Sequence, residues 1–328
     1  MAAVYVQEQG ARIEVEAERL VVRRGSDVRA QIPLANLDQL TILGNVQVTT
    51  QALQFLSGHG VDTFFLTQNG TYRAHLRSAG STSVALKARQ FEAAGRPEVV
   101  LALAQSFVLG KIANQTAVCA RRRRNLDPDA IHSLRRCRQR VHRATTLEAL
   151  RGIEGTASRI YFRAWPAWLV EDFGFTGRAR RPPTDLVNAL LSLGYTLLAG
   201  EVTAALYHAG LEPYLGFLHA ARSGHPALAS DLMEEFRGPV VDLLVLGLLN
   251  RREIRLEHAV HEGSAVHLND AARRTFFTAY RLRLETAITD PRRHVQSTYR
   301  TVIRGQVEHL CELLRAGSAR YVPFLLRE

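Results

Sequence analysis

The first 77 residues are apolar in short stretches whose period is that of strands. Arg12-Ile13-Glu14-Val15-Glu16 alternates polar with apolar. Leu20-Val21-Val22, Ala30-Gln31-Ile32-Pro33-Leu34 and Gln39-Leu40-Thr41-Ile42-Leu43 are short runs rich in β-branched residues and bounded by turn residues. Gly25-Ser26-Asp27 supplies a hairpin turn, 50–57 reads as a short helix and 61–66 as a strand. Gln68-Asn69-Gly70 then turns the chain into a strand over 71–76, because Asn-Gly tolerates the positive φ of a tight hairpin. Residues 78–83 are small and polar, as a linker is. From about Val84 the period becomes helical. Residues 99–122 carry apolar side chains at three- and four-residue spacing, Leu101, Phe107, Ile112 and Val118 among them, until Asn125-Leu126-Asp127-Pro128-Asp129 breaks the pattern. Helices are predicted over 131–150, 153–171, 184–208, 228–249, 270–287 and 291–315, with a β-hairpin inside 253–268 around Glu262-Gly263-Ser264. The expected architecture is α+β: a small N-terminal β domain over 1–80, a linker over 81–95, and a larger, mainly α-helical domain over 96–328.

Charge adds a partner to this picture. A net charge of +11 and a pI near 10.2 favour a polyanion, nucleic acid before a membrane surface. The charge is unevenly placed. Residues 1–80 hold seven Arg and no Lys against seven Asp plus Glu, whereas the remainder holds 35 basic against 24 acidic residues. The nucleic-acid surface is therefore expected in the second part, and the neutral β domain suits protein–protein contact. No segment approaches the roughly 20 apolar residues of a membrane span; the nearest, 240–249, carries Asp242. The N-terminus lacks a signal-peptide core, and Cys119, Cys137 and Cys311 are isolated and odd in number, so the expected location is a reducing cytoplasm, without a membrane.

The candidate chemistry lies in Phe217-Leu218-His219 and Ser230-Asp231-Leu232-Met233-Glu234-Glu235-Phe236-Arg237, with Glu154 upstream in Arg151-Gly152-Ile153-Glu154-Gly155. On a helix Asp231 and Glu234 sit about 60° apart and share a face. Leu228, Leu232, Phe236, Val240 and Leu244 form the stripe that faces the core, and Glu235 is a possible substitute on the other flank. Glu154, near the start of another helix, can meet His219 across a cleft. One imidazole among carboxylates suits Mg2+ or Mn2+ rather than structural zinc. Taken singly, these acids read equally well as helix-capping, solubilising groups, and a lone histidine as a hydrogen-bonded core residue. Arg121, Arg122, Arg123 and Arg124 form a basic run, extended by Arg135, Arg136, Arg138, Arg140 and Arg143, that either tracks phosphates or is a solvated face. Arg178, Arg180 and Arg181, ahead of Pro182-Pro183, are better placed for DNA near the acids. Arg237, one turn past Glu234, clamps a phosphate or pairs with an acid. Glu257-His258-Ala259-Val260-His261-Glu262 does not match His-Glu-x-x-His and reads as surface hairpin. Tyr195, Trp165 and Trp168 read as packing.

Read together, these segments resemble the family of the universal CRISPR-associated integrase, the spacer-acquisition endonuclease (CRISPR-associated protein one). The resemblance runs through Gly44-Asn45-Val46-Gln47-Val48-Thr49, Leu66-Thr67-Gln68-Asn69-Gly70, Phe107-Val108-Leu109-Gly110-Lys111-Ile112-Ala113-Asn114-Gln115 and Gly152-Ile153-Glu154-Gly155. It continues through 181–195, the segment 217–219, the run 231–242 and Tyr321-Val322-Pro323-Phe324, and so spans essentially the whole chain. It implies Glu154, His219 and Glu234 as ligands of Mg2+ or Mn2+, with Asp231 a catalytic group of the same site, handling a metal-bound water or a proton; Tyr195 matches a position near it. It implies a metal-dependent DNA endonuclease and integrase that inserts protospacer DNA into a repeat array, a 3′-hydroxyl attacking a phosphodiester. The implied partners are double-stranded DNA, a second copy paired through the β domain as a homodimer, and a dimer of the small CRISPR-associated protein two. Two alternatives stay open: a transposon-type integrase of the same ancestry, and a catalytically inactive DNA-binding subunit.

Overall fold

The computed structural model describes residues 1–328 apart from 1, 69, 71, 77–83, 123–127, 180–181 and 327–328. The chain divides into two compact units, 1–83 and 84–328. The first contains β1 (Ala2–Val6), β2 (Arg12–Glu16), β3 (Arg19–Arg24), β4 (Asp27–Pro33), β5 (Leu37–Leu43), β6 (Gln47–Val48), α1 (Thr50–Gly58), β7 (Asp62–Leu66) and β8 (Tyr72–Leu76). One sheet has the order β1-β5-β7-β8, with β1, β5 and β7 parallel and β8 antiparallel to β7; the other has the order β4-β3-β2-β6. The alternation read in the sequence puts Ile13, Leu20 and Val22 of the second sheet into one core with Leu40 and Ile42 of the first and Ala52 and Leu56 of α1. The β2–β3 turn carried no glycine signal: Ala17 and Glu18 both take positive φ, 45° and 61°, the geometry a two-residue hairpin demands.

The second unit is helical, and its boundaries are set by caps more than by apolar period. Within the expected linker, Val84–Ala94 is helix α2, tied down by Gln90, whose amide donates to Glu212 O and Leu215 O at 2.9 and 3.0 Å. Next comes α3 (Pro97–Arg121), buried along most of its length. The predicted helices 131–150 and 153–171 are instead α4 (Pro128–Val141) and α5 (Leu147–Arg163). Thr146 moves the break, since its hydroxyl caps Ala149 N at 3.1 Å; Pro166 lies just beyond the end of α5. Trp165 and Trp168 pack there with Tyr161 and Phe162, as expected. Helix α6 (Leu186–Ala209) starts at the Asp185 cap and stops at Gly210, whose φ of 87° is left-handed. It corrects the hydropathy reading: α6, not 240–249, is long and apolar enough to cross a membrane, and 78% of its most apolar window is buried within the protein.

The predicted helix 228–249 is interrupted. It runs as α7 (Ala227–Phe236), a π-turn over Arg237–Asp242, and α8 (Leu243–Asn250). Pro239 has no N–H to give to Glu235 O, and Asn114 of α3 supplies the missing donor at 2.6 Å. The hairpin β9 (Ala259–Glu262) and β10 (Ala265–Leu268) forms as predicted. After α9 (Asp270–Leu284), a second hairpin, β11 (Ala287–Thr289) and β12 (Gln296–Thr298), takes residues that periodicity had given to helices, and the Thr298 cap delays α10 to Tyr299–Ala316. The chain then runs without regular structure back across α3. At Gly110 a Cβ would stand 2.7 Å from Pro323, so only glycine admits this crossing.

Candidate active site

Helices α3, α5 and α7 and the loop before α7 bring their chemistry to one place. Glu154 comes from α5, Glu234 from α7 and His219 from the loop. Lys111, on α3, stands between the two acids: its ammonium pairs with Glu154 Oε1 and lies 2.8 Å from Glu234 Oε2. Ser158, one turn after Glu154, donates to the same Glu154 oxygen at 2.9 Å. His219 Nε2 is 3.9 Å from Glu234 Oε1. Residues separated by 43, 123 and 15 positions thus face one another. Lys111 lies within the segment that carried the family resemblance, yet spacing gave it no role. The signal was a charge inside an otherwise apolar helix.

Glu234 is buried, which alone would raise its pKa. Arg237, Lys111 and His219 outweigh that and hold the carboxyl down at about 2, so it is an anion at any ordinary pH. Arg237 Nε is 3.0 Å from Glu234 Oε2, and its guanidinium lies over the Tyr195 ring at 4.5 Å. Of the two roles read for Arg237, the structure shows the ion pair.

Asp231 stands behind the site. It is fully buried; Oδ2 accepts from Phe217 N and Leu218 N at 2.6 and 3.0 Å, while Oδ1 accepts from His219 N at 2.9 Å and meets His219 Nδ1 at 2.6 Å. The carboxylate expected to handle water or a proton folds the 217–219 loop and orients the imidazole. With Nδ1 engaged by Asp231, Nε2 is the ring nitrogen that faces Glu234. Burial lowers the His219 pKa, but Asp231 and Glu234 raise it further, and the net direction is upward.

Glu235 faces away. Tyr321 OH donates to it at 2.6 Å, Phe324 N at 2.5 Å, and the Gln306 amide lies within 3.4 Å. Burial still pushes this carboxyl up to about 8. The substitute ligand considered for Glu234 is therefore the anchor of the C-terminal segment. Asp242, one shell out, accepts from Tyr161 OH at 2.9 Å and Tyr195 OH at 2.5 Å, which gives the Tyr195 hydroxyl its partner. Burial raises Asp242 from 3.8 to about 6 against these bonds. The folded chain keeps a proton there that the unfolded chain releases, so this contribution to stability falls as pH rises from 3.8 to about 6. Asp242→Asn should flatten the pH dependence of the denaturation midpoint across that window, a difference on the order of 3 kcal/mol between variant and parent. Parallel pH profiles for the two proteins would contradict it.

Of the arginines expected at DNA, Arg123, Arg124, Arg180 and Arg181 lie outside the described residues. Arg121 is exposed and Arg122 half-buried at the end of α3. Arg178 is built into the fold, donating to Asn188 Oδ1 at 2.7 Å and Ser192 Oγ at 3.0 Å. It also lines a cavity of about 520 Å3 beside Gly155 and Ser158, together with Arg159 and Arg163, which spacing had not singled out.

The resemblance calls for a divalent cation. Among the described residues no three His, Cys, Asp or Glu side chains stand close enough to hold one as they are. The donor chemistry fits nonetheless. Two carboxylates converge on one positive charge, an imidazole nitrogen lies 3.9 Å from the second of them, and the buried Glu234 Oε2 has two cationic neighbours but no well-aligned hydrogen bond.

The chain is similar to known proteins along its whole length. A Thermus thermophilus protein named CRISPR-associated endonuclease Cas1 3 is 41% identical over 329 residues, covering 100% of this chain and 98% of its own length. The structure of a Cas1 protein from Thermotoga maritima matches with a TM-score of 0.83 at 26% identity, over 100% of both chains. A chain of a Cas6-RT-Cas1–Cas2 complex matches with a TM-score of 0.83 at 25% identity, covering 99% of this chain and 36% of that longer one. The family model for CRISPR associated protein Cas1 matches residues 4–281, and the chain belongs to that family.

Proposed function

We propose that this chain is a DNA endonuclease and integrase of CRISPR adaptation, dependent on Mg2+ or Mn2+, that joins the 3′-hydroxyl of a DNA fragment to a phosphodiester at the edge of a repeat. The observation that carries this reading is the pairing of Glu154 and Glu234 on one buried ammonium, with His219 beside Glu234, in a Cas1-family chain. In the reaction the hydroxyl oxygen forms a bond to phosphorus, the bond to the departing 3′-oxygen breaks, and the proton lost by the first is matched by one gained by the second. One phosphodiester replaces another, so no nucleotide cofactor is needed. Glu154, His219 and Glu234 would hold the cation, which supplies Lewis acidity at the phosphoryl oxygen and lowers the pKa of the attacking hydroxyl. Asp231 keeps the imidazole in one tautomer and orientation. Arg237 fixes Glu234, and the Tyr195 ring beneath it limits its movement. The cavity lined by Arg159, Arg163 and Arg178 suits an extended phosphodiester strand beside Glu154. Water in place of the hydroxyl gives nicking at the same site.

The Cas2 component of the related complex supports the same partnership here, and the neutral 1–80 segment suits pairing of two copies. The test uses the purified chain with a Cas2 dimer, a fragment with free 3′ ends and a repeat-containing plasmid. Joined product should form with Mn2+ or Mg2+ and vanish with chelator. A dideoxy 3′ end should abolish joining and leave nicking. Equal joining with chelator present would overturn metal dependence; no joining or nicking under any condition would favour the inactive DNA-binding subunit.

A further inference from the structure

Lys87 and Lys111 are the two lysines of this chain, in which 40 of 42 basic residues are arginine. Lys111 occupies the centre of the site. Its side chain is 5% exposed, and its two ion-pair partners are two of the three residues read as metal ligands. Ammonium and divalent ion therefore need the same carboxylate oxygens. We infer that Lys111 is the resident counter-cation of the Glu154–Glu234 pair, that a divalent ion displaces it, and that the displaced ammonium then serves the phosphodiester of the DNA. This rests on the metal-site reading above and adds a residue to it.

The charges support exchange rather than coexistence. Glu154, Glu234 and Asp231 bring three negative charges, and Lys111 and Arg237 two positive, a net of −1 with the imidazole neutral as a metal ligand must be. With a divalent ion the net becomes +1, which a phosphodiester cancels. Without the ion, Lys111 keeps two converging carboxylates from repelling each other in a buried place, where like charges are costly. Lysine suits the task better than arginine. A compact charge on a flexible stem can withdraw along α3 and find a phosphate oxygen, whereas a planar guanidinium would stay locked to the carboxylates. Arg237 shows the contrast, held by Glu234 and by the Tyr195 ring.

The experiment measures Mn2+ binding without DNA, by loss of the free-ion electron spin resonance signal, for the parent chain, Lys111→Met, Lys111→Gln and Glu234→Ala. Both lysine variants should bind Mn2+ on the order of tenfold more tightly than the parent, since a competing charge has gone. In chelator they should melt below the parent, and saturating Mn2+ should close most of that gap. Joining activity should fall despite the tighter metal. Mn2+ affinity equal to or weaker than the parent's, or a melting gap that Mn2+ leaves unchanged, would overturn the inference even if one variant folds poorly. Parent binding that Glu234→Ala does not diminish would remove the metal site itself, a separate failure.

Discussion

His219→Ala is expected to abolish DNA joining while leaving melting temperature and DNA affinity close to those of the parent. The imidazole is 36% exposed, and its side-chain hydrogen bond among the described residues is the one to Asp231. Asp231 keeps its three backbone donors when the ring is gone, so the cost to stability is about 1 kcal/mol. Activity is another matter. Removing even an outer partner of a metal ligand costs about 10- to 100-fold, and removing the ligand should cost at least that. Joined product on a denaturing gel, melting temperature and a DNA mobility shift measure the three quantities. Wild-type joining by His219→Ala would take the imidazole out of the site. Glu234→Ala is a less clean probe. It leaves the buried Arg237 without its carboxylate and Lys111 with Glu154 alone, with a penalty of about 3–5 kcal/mol, so its lost activity would arrive with lost stability.

The same two acids show how far local pattern carries. Helical spacing put Asp231 and Glu234 on one face, and both are indeed turned toward the 217–219 loop. Spacing could not say that they do different work. That is decided by donors elsewhere: backbone amides 12 to 14 residues earlier capture Asp231, while Tyr321 and Phe324, 86 and 89 residues later, capture Glu235. Glu234 is left to the site because Lys111, 123 positions upstream, reaches it. The strand period of the first unit and the helical period of the second were legible because each depends on one face meeting one core. The helix ends were misplaced where a threonine cap or Pro239 overrode the apolar repeat, as at Thr146, Thr298 and the π-turn. Lys111 was hidden for a related reason. A charge within an apolar helix declares a buried partner but not which one.

Asp231→Ala should damage stability and activity together, and the way it fails distinguishes positioning from proton transfer. Four hydrogen bonds end on this carboxylate, three of them from the backbone of residues 217–219. Truncation leaves those donors without an acceptor in a buried place, and at about 1 kcal/mol or more for each the loss is on the order of 3 kcal/mol. The loop then has nothing to hold its turn, and His219 nothing to fix its tautomer. Melting temperature, Mn2+ affinity and joining should fall together. Asp231→Asn should do nearly the same. Its amide nitrogen would face either the Phe217 and Leu218 N–H groups or those of His219, donor against donor. A proton-handling aspartate predicts another outcome: Asp231→Asn would keep its stability and its metal while losing the pH-dependent limb of the rate. Stability and Mn2+ affinity that survive Asp231→Asn would therefore move this residue from behind the site into it.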